Sequence, residues 1–241
     1  MNMPATSSLG NNAATNEKIA FDEIRLVLFD LDGTLVDSVG DLAWCANETL
    51  RNLGMPTHDP LAARNWVGNG VERFVKRVLT NDMNAEPEAA LFESGLKIFN
   101  ELYADNVSAR SVVYPGVKPA LKSLAQKNLH LACVTNKPDP FTSHLIEALD
   151  LASYFELVVA GNTKTRKKPD PMPLHYAADY FDLDYAHCLM VGDSSNDVKA
   201  ARAAGFNIVC VPYGYNHGKD IREANPDIVV ENLTELAEMF A

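Results

Sequence analysis

Basic residues are scarce in this chain: 21 lysines and arginines face 32 aspartates and glutamates, a formal charge of −11 over 241 residues. Nucleic acids and anionic membrane surfaces need basic patches, so neither is expected as a main partner. A small anionic substrate stays compatible, because a metal ion and one or two lysines reverse the sign locally. Long apolar runs are also missing, and no uninterrupted stretch approaches the ~20 residues of a membrane span. There are only four cysteines, Cys45, Cys133, Cys188 and Cys210, without a CxxC pair or a zinc-like spacing. Three sit in apolar runs, where a reduced thiol behaves as a small hydrophobe and fits a reducing compartment. The opening residues, MNMPATSSLGNNAATNEK, have no apolar signal core. Residues 1–20 are expected to be a flexible tail, and the cytoplasm is the expected location.

What the chain does have is a set of short, near-continuous apolar runs rich in β-branched residues. They are Ile24–Phe29, Leu129–Val134, Leu157–Val159, His187–Val191, Asn207–Pro212 and the short Asp227–Val230. Continuous rather than alternating runs suit strands covered on both faces of a parallel sheet. Helical patterns separate the later runs, at Gly116–Lys127, Pro140–Leu149, Pro171–Phe181 and Asp197–Ala204. This alternation predicts a doubly wound, Rossmann-like α/β core over 21–40 and 112–241. Residues 41–111 carry amphipathic helical patterns but no convincing strand. They predict a helical cap subdomain inserted after the first strand and rejoining the sheet near Tyr114–Val117.

Open α/β sheets bind ligands beyond the carboxyl ends of their strands. Four polar segments fall there or beside them: DLDGT (30–34), TNK (135–137), KKPDP (167–171) and GDSSND (192–197). Asp30 and Asp32, one residue apart at a strand end, are expected to point to the same side. Gly33 permits a sharp exit that leaves them exposed. Two carboxylates held so close need a cation or a shared proton, which points to a divalent metal, an acid/base couple, or both. Any one segment is ordinary as a turn, cap or loop; four at the right ends of four strands make a constellation.

In that order, DLDGTLVDS, TN, KPDP and GDSSND resemble the haloacid dehalogenase-like hydrolases over about residues 24–235. WVGNG, VTNKP, KKPDP and PYGYN further resemble the bacterial phosphoglycolate phosphatases within that superfamily. The resemblance implies a Mg²⁺-dependent phosphatase for a small phosphorylated organic substrate, with 2-phosphoglycolate first. It implies no nucleic-acid or membrane partner and a monomer or homodimer. Asp30 would be the nucleophile forming an aspartyl-phosphate, and Asp32 the general acid and then base. Mg²⁺ would take the Asp30 carboxylate, the Asp32 carbonyl and Asp193, with Asp197 in its outer shell. Thr135 and Asn136 would hold phosphate oxygens, Gly33 and Thr34 would add backbone donors, and Lys168 a positive charge. Within the insertion, Asn69 of the Gly68-Asn69-Gly70 turn would help select the substrate.

Other residues are read more plainly. Asp37 and Ser38 are expected to cap the next helix, Lys137 and Lys167 to be surface charges, and Trp44 and Trp66 to pack between helices. Rival activities on the same core are phosphatases for pyrophosphate, sugar phosphates or nucleotides, a phosphomutase, and a catalytically silent phosphate-binding module. Asp32 argues against a dehalogenase. A phosphonate hydrolase would need a Schiff-base lysine in the cap, where only Lys76 and Lys97 occur.

Overall fold

The computed structural model describes residues 19–240. The expected tail over 1–20 therefore lies outside the described residues except at its end, where Ile19 is already buried in the main core. In chain order the elements are β1 (Leu26–Phe29), β2 (Val36–Asp37), α1 (Val39–Asn52), α2 (Ala63–Trp66), α3 (Val71–Thr80), α4 (Ala89–Asn106) and β3 (Val112–Val113). After these come α5 (Val117–Ala125), β4 (His130–Val134), α6 (Phe141–Ala148), β5 (Leu157–Val159), α7 (Met172–Tyr180), β6 (Cys188–Gly192), α8 (Ser195–Ala204), β7 (Asn207–Cys210), β8 (Ile228–Val229) and α9 (Leu233–Met239).

Six strands form one parallel sheet in the order β5-β4-β1-β6-β7-β8, a Rossmann-like doubly wound arrangement. Its central strand shows why the sequence folds this way. Along LVLF all four residues are buried, and they alternate between two cores. Val27 and Phe29 join the core under α5, α6 and α9, whereas Leu26 and Leu28 join the core under α7 and α8. A strand apolar on both faces has no solvent side, hence the continuous run. The chain leaves β1 toward β4 and β5, then returns to its other side for β6, β7 and β8. The crevice over β1 is thus the switch point where open sheets bind ligands.

Between β1 and β4 lie the four helices α1–α4. They pack as a small layer, with α1 and α3 against α4. An aromatic ladder, Trp66–Phe74–Phe99–Tyr103–Phe141, runs from this layer into the core at centroid spacings of 6.5, 5.5, 5.4 and 4.9 Å. Trp66 and Trp44 pack as expected, Trp44 beneath the Arg110 guanidinium at 4.5 Å. The strands β2 and β3 and the helix α9 have no counterpart in the sequence patterns. β2 and β3, where the chain enters and leaves the layer, pair antiparallel as Val36↔Val113 and Asp37↔Val112. Two residues per strand are too short for any periodicity to register.

Candidate active site

β1 ends at Phe29, one residue short of Asp30. The next residues close a tight turn in which Leu31 O accepts the amides of Thr34, Leu35 and Val36, and Gly33 N donates to Val36 O at 2.8 Å. This corrects two expectations. Asp32 lies in the turn rather than on the strand, so period two does not set its direction. The Gly33 and Thr34 amides are also committed to the turn and are not available to phosphate. Thr34 contributes differently, its hydroxyl donating to Asp193 Oδ1 at 2.7 Å. Gly33 is required twice over: its φ is +94°, and a Cβ there would overlap Asp193 Oδ2. Gly33→Ala is expected to cost about 2 kcal/mol or more and to lower the melting temperature and activity together, read by calorimetry and phosphate release.

Asp30 and Asp32 both line a cavity of about 40 Å³, room for only a few water molecules. Each carboxylate has its own lysine. Lys168 Nζ stands 2.9 Å from Asp30 Oδ1 and 2.7 Å from Asp197 Oδ1. Lys137 Nζ stands 3.1 Å from Asp32 Oδ1. Both lysines are buried, at 3% and 5% exposure. The expectation of a surface charge at Lys137 is thus overturned: its stem folds inward and its ammonium also donates to the Tyr103 hydroxyl of α4. Lys167 is only half-buried. Ser38 stands at the N-cap of α1, but its hydroxyl donates to Asp32 Oδ1 at 2.5 Å instead of capping the helix. Asp37 accepts the Val39 amide at 3.4 Å, as a capping residue would, and pairs with Arg64 at 3.6 Å.

At the end of β4, the Thr135 hydroxyl accepts the Lys137 amide at 3.1 Å and keeps its own proton for another acceptor. Asn136 bridges two segments, its Nδ2 donating to Gly68 O at 2.9 Å and to Lys168 O at 2.8 Å. After β6, Asp193 accepts the Thr34 hydroxyl and, at 2.5 Å, the Tyr215 amide from the PYGYN segment. Asp197 sits in the first turn of α8, where its Oδ2 accepts the Ser194 amide and hydroxyl at 3.1 and 2.7 Å.

Electrostatics sorts these groups. Burial dominates at Asp30, partly countered by Lys168 and reinforced by Asp197, and lifts its pKa to about 7. Asp193 is pushed well above the usual carboxylate range by burial, then by Asp30 and Asp197. Burial alone would lower Lys168, but Asp197 and Asp30 outweigh it and hold the ammonium charged. Lys168 thus pairs with Asp30 and Asp197 but not with Asp193, and an oxygen from each of the three carboxylates lies within 4.8 Å of the others. This charge excess and all-oxygen donor set fit a hard divalent ion such as Mg²⁺.

Asn69 departs from expectation. Gly68 and Gly70 line the cavity, but Asn69 does not; its Oδ1 accepts from buried Arg77 at 2.8 Å, which holds its side chain against the helical layer. Lys76 pairs with Glu86 at 2.6 Å, and neither Lys76 nor Lys97 lines the cavity.

The parallel α/β sheet thus holds two lysine-paired aspartates at its switch point. The family model for haloacid dehalogenase-like hydrolases matches residues 27–211, and the chain belongs to that family. It is 48% identical to the phosphoglycolate phosphatase of Nitrosococcus oceani, covering 90% of this chain and 96% of that one. It is 44% identical to the phosphoglycolate phosphatase of Thiobacillus denitrificans, over 90% and 95%. Among solved structures, a predicted phosphoglycolate phosphatase from Haemophilus somnus superposes with a TM-score of 0.86 at 31% identity, over 91% and 99%.

Proposed function

We propose that the chain is a phosphatase for a small phosphate monoester, 2-phosphoglycolate being the best candidate, acting through an aspartyl-phosphate. The observation that carries this reading is the pair Asp30 and Asp32 in one cavity, each with a separate buried lysine. Two carboxylates with different partners can take different tasks. An Asp30 oxygen attacks phosphorus as the ester P–O bond breaks, and Asp32 delivers a proton to the departing alkoxide. In the second half Asp32 takes a proton from the water that attacks the acyl phosphate, which frees Asp30 and inorganic phosphate. Proton transfer of this kind typically supplies ~10²–10⁴-fold. The Thr135 hydroxyl and the Asn136 backbone amide serve phosphate oxygens, and Lys168 balances the charge that gathers on Asp30 and the transferring group.

Mg²⁺, held by the Asp30 carboxylate, the Asp32 carbonyl and Asp193 with Asp197 outside them, would neutralise the anionic phosphate as the anionic nucleophile approaches. The helices of 41–111 act as the cap, moving out to admit substrate and back to exclude water. Gly68 O, bonded by both Asn136 and Asn196, marks where cap meets core. Four buried free cysteines support a reducing, cytoplasmic setting; burial pushes the Cys45 thiol up to about 12. Among the described residues no helix is long and apolar enough to cross a membrane.

The test is kcat/KM over a panel of phosphate esters, with Mg²⁺ and with a chelator. The expected result is metal-dependent release with at least a tenfold preference for 2-phosphoglycolate. A preference under tenfold, about 1.4 kcal/mol of differential transition-state binding, overturns the substrate. No release from any ester at saturating metal favours a binding module.

A further inference from the structure

Lys137 takes no part in the steps above, yet among the described residues it is the one cation whose side chain lines the cavity. Lys168 is held by Asp30 and Asp197 and does not line the cavity. The wall opposite, built from the helical layer, consists of Leu42, Val67, Gly68, Gly70, Val71, Phe74 and Tyr103. Its only polar side chain is the Tyr103 phenol. Lys137 Nζ donates to that oxygen and stands 4.7 Å from the ring centroid. Because Tyr103 accepts there, its own proton is left for another partner, and burial, then Asp32, keeps the phenol protonated. The Lys137 backbone is anchored too: its amide donates to Thr135 Oγ1, and its carbonyl accepts from Gly161 N and Thr142 Oγ1.

We propose that Lys137 Nζ and the Tyr103 hydroxyl form a subsite for a carboxylate on the leaving group, selecting esters of short 2-hydroxy acids over esters of neutral alcohols. The proposal rests on the phosphatase reading and names the group that sets its substrate class. In such an ester the carboxylate oxygens lie about 3 Å from the ester oxygen, as covalent geometry dictates. Asp32 must reach that ester oxygen, and Lys137 Nζ lies 3.1 Å from Asp32 Oδ1. Neighbouring groups on the substrate thus meet neighbouring groups on the protein. Lys137 Nζ, beside Asp32, would then also meet the substrate carboxylate, and apolar walls strengthen its pull relative to water. A neutral alcohol offers this subsite nothing.

The experiment measures kcat/KM on 2-phosphoglycolate, ethyl phosphate and p-nitrophenyl phosphate for the parent, Lys137→Met, Lys137→Arg and Tyr103→Phe. In Lys137→Met the ratio of 2-phosphoglycolate to ethyl phosphate is expected to fall about 100-fold, equal to about 2.7 kcal/mol. Lys137→Arg should restore part of that ratio, and Tyr103→Phe should lower it about fivefold, in keeping with one lost hydrogen bond. A ratio within about threefold of the parent's in Lys137→Met, less than one hydrogen bond is worth, overturns the subsite. Equal losses on the two alkyl esters with the aryl ester spared assign Lys137 to positioning Asp32, and also overturn it. If Lys137→Met fails to fold by circular dichroism, the parent is compared on 2-phosphoglycolate and its neutral amide. A strong preference for the acid supports the subsite, and equal rates overturn it. The phosphatase reading fails separately, by absence of phosphate release from all three esters in the parent.

Discussion

Asp30→Asn is expected to lower turnover by roughly 10⁴–10⁶-fold, the range seen when a catalytic nucleophile is removed, while the chain keeps its fold. An amide is nearly the same shape as a carboxylate and still accepts the Leu31 amide, which bonds Asp30 Oδ1 at 2.8 Å. It adds no charge to a pocket where Asp193 and Asp197 already repel each other. The metal-free variant should therefore melt at or above the parent's temperature. The sign of its pH dependence follows from the shift at Asp30. Unfolded, the group loses its proton near 3.8; folded, it keeps it to about 7. Between those values the folded state binds more protons, so the metal-free parent loses stability as pH rises through the window. Asp30→Asn lacks that loss, and the gap in melting temperature should widen from about pH 4 to about pH 7. Full turnover in the variant, by phosphate release, would falsify the nucleophile assignment.

Lys168→Met should be the most damaging single change to stability. It leaves Asp30 and Asp197 buried without their cation, a defect that costs about 3–5 kcal/mol. The loss of a positive charge beside the transferring group should also lower kcat by about 10²–10³-fold. The variant carries its own control, because added Mg²⁺ would replace the missing charge. Mg²⁺ should raise its melting temperature more than it raises the parent's. An equal rise in both would argue against a metal at the Asp30–Asp193–Asp197 cluster.

The core was legible because its strands are apolar on both faces and its helices intervene at regular spacing. Each of the six expected strands is present, with ends shifted by no more than two residues. The motif residues at the carboxyl ends converge because a parallel sheet places all those ends on one side. What escaped depended on contacts across long stretches of chain. Lys137 looks like any lysine after a strand until Tyr103, 34 residues upstream, closes over it. Ser38 has the sequence position of a cap, but Asp32, six residues earlier, captures its hydroxyl. Asn69 sits in an inviting glycine turn, yet Arg77 draws its amide toward the helices.

The paired β2 and β3 have a mechanical meaning. The two strands by which the helical layer joins the sheet run side by side and are hydrogen-bonded, so neither can twist without its neighbour. A two-stranded ribbon flexes readily out of its own plane, where its hydrogen bonds stay intact, and resists sliding, which would break its register. A swing of the layer, as proposed for the cap, would have to bend this ribbon, and it would carry Tyr103 and Gly68 together away from Lys137 and Asn136.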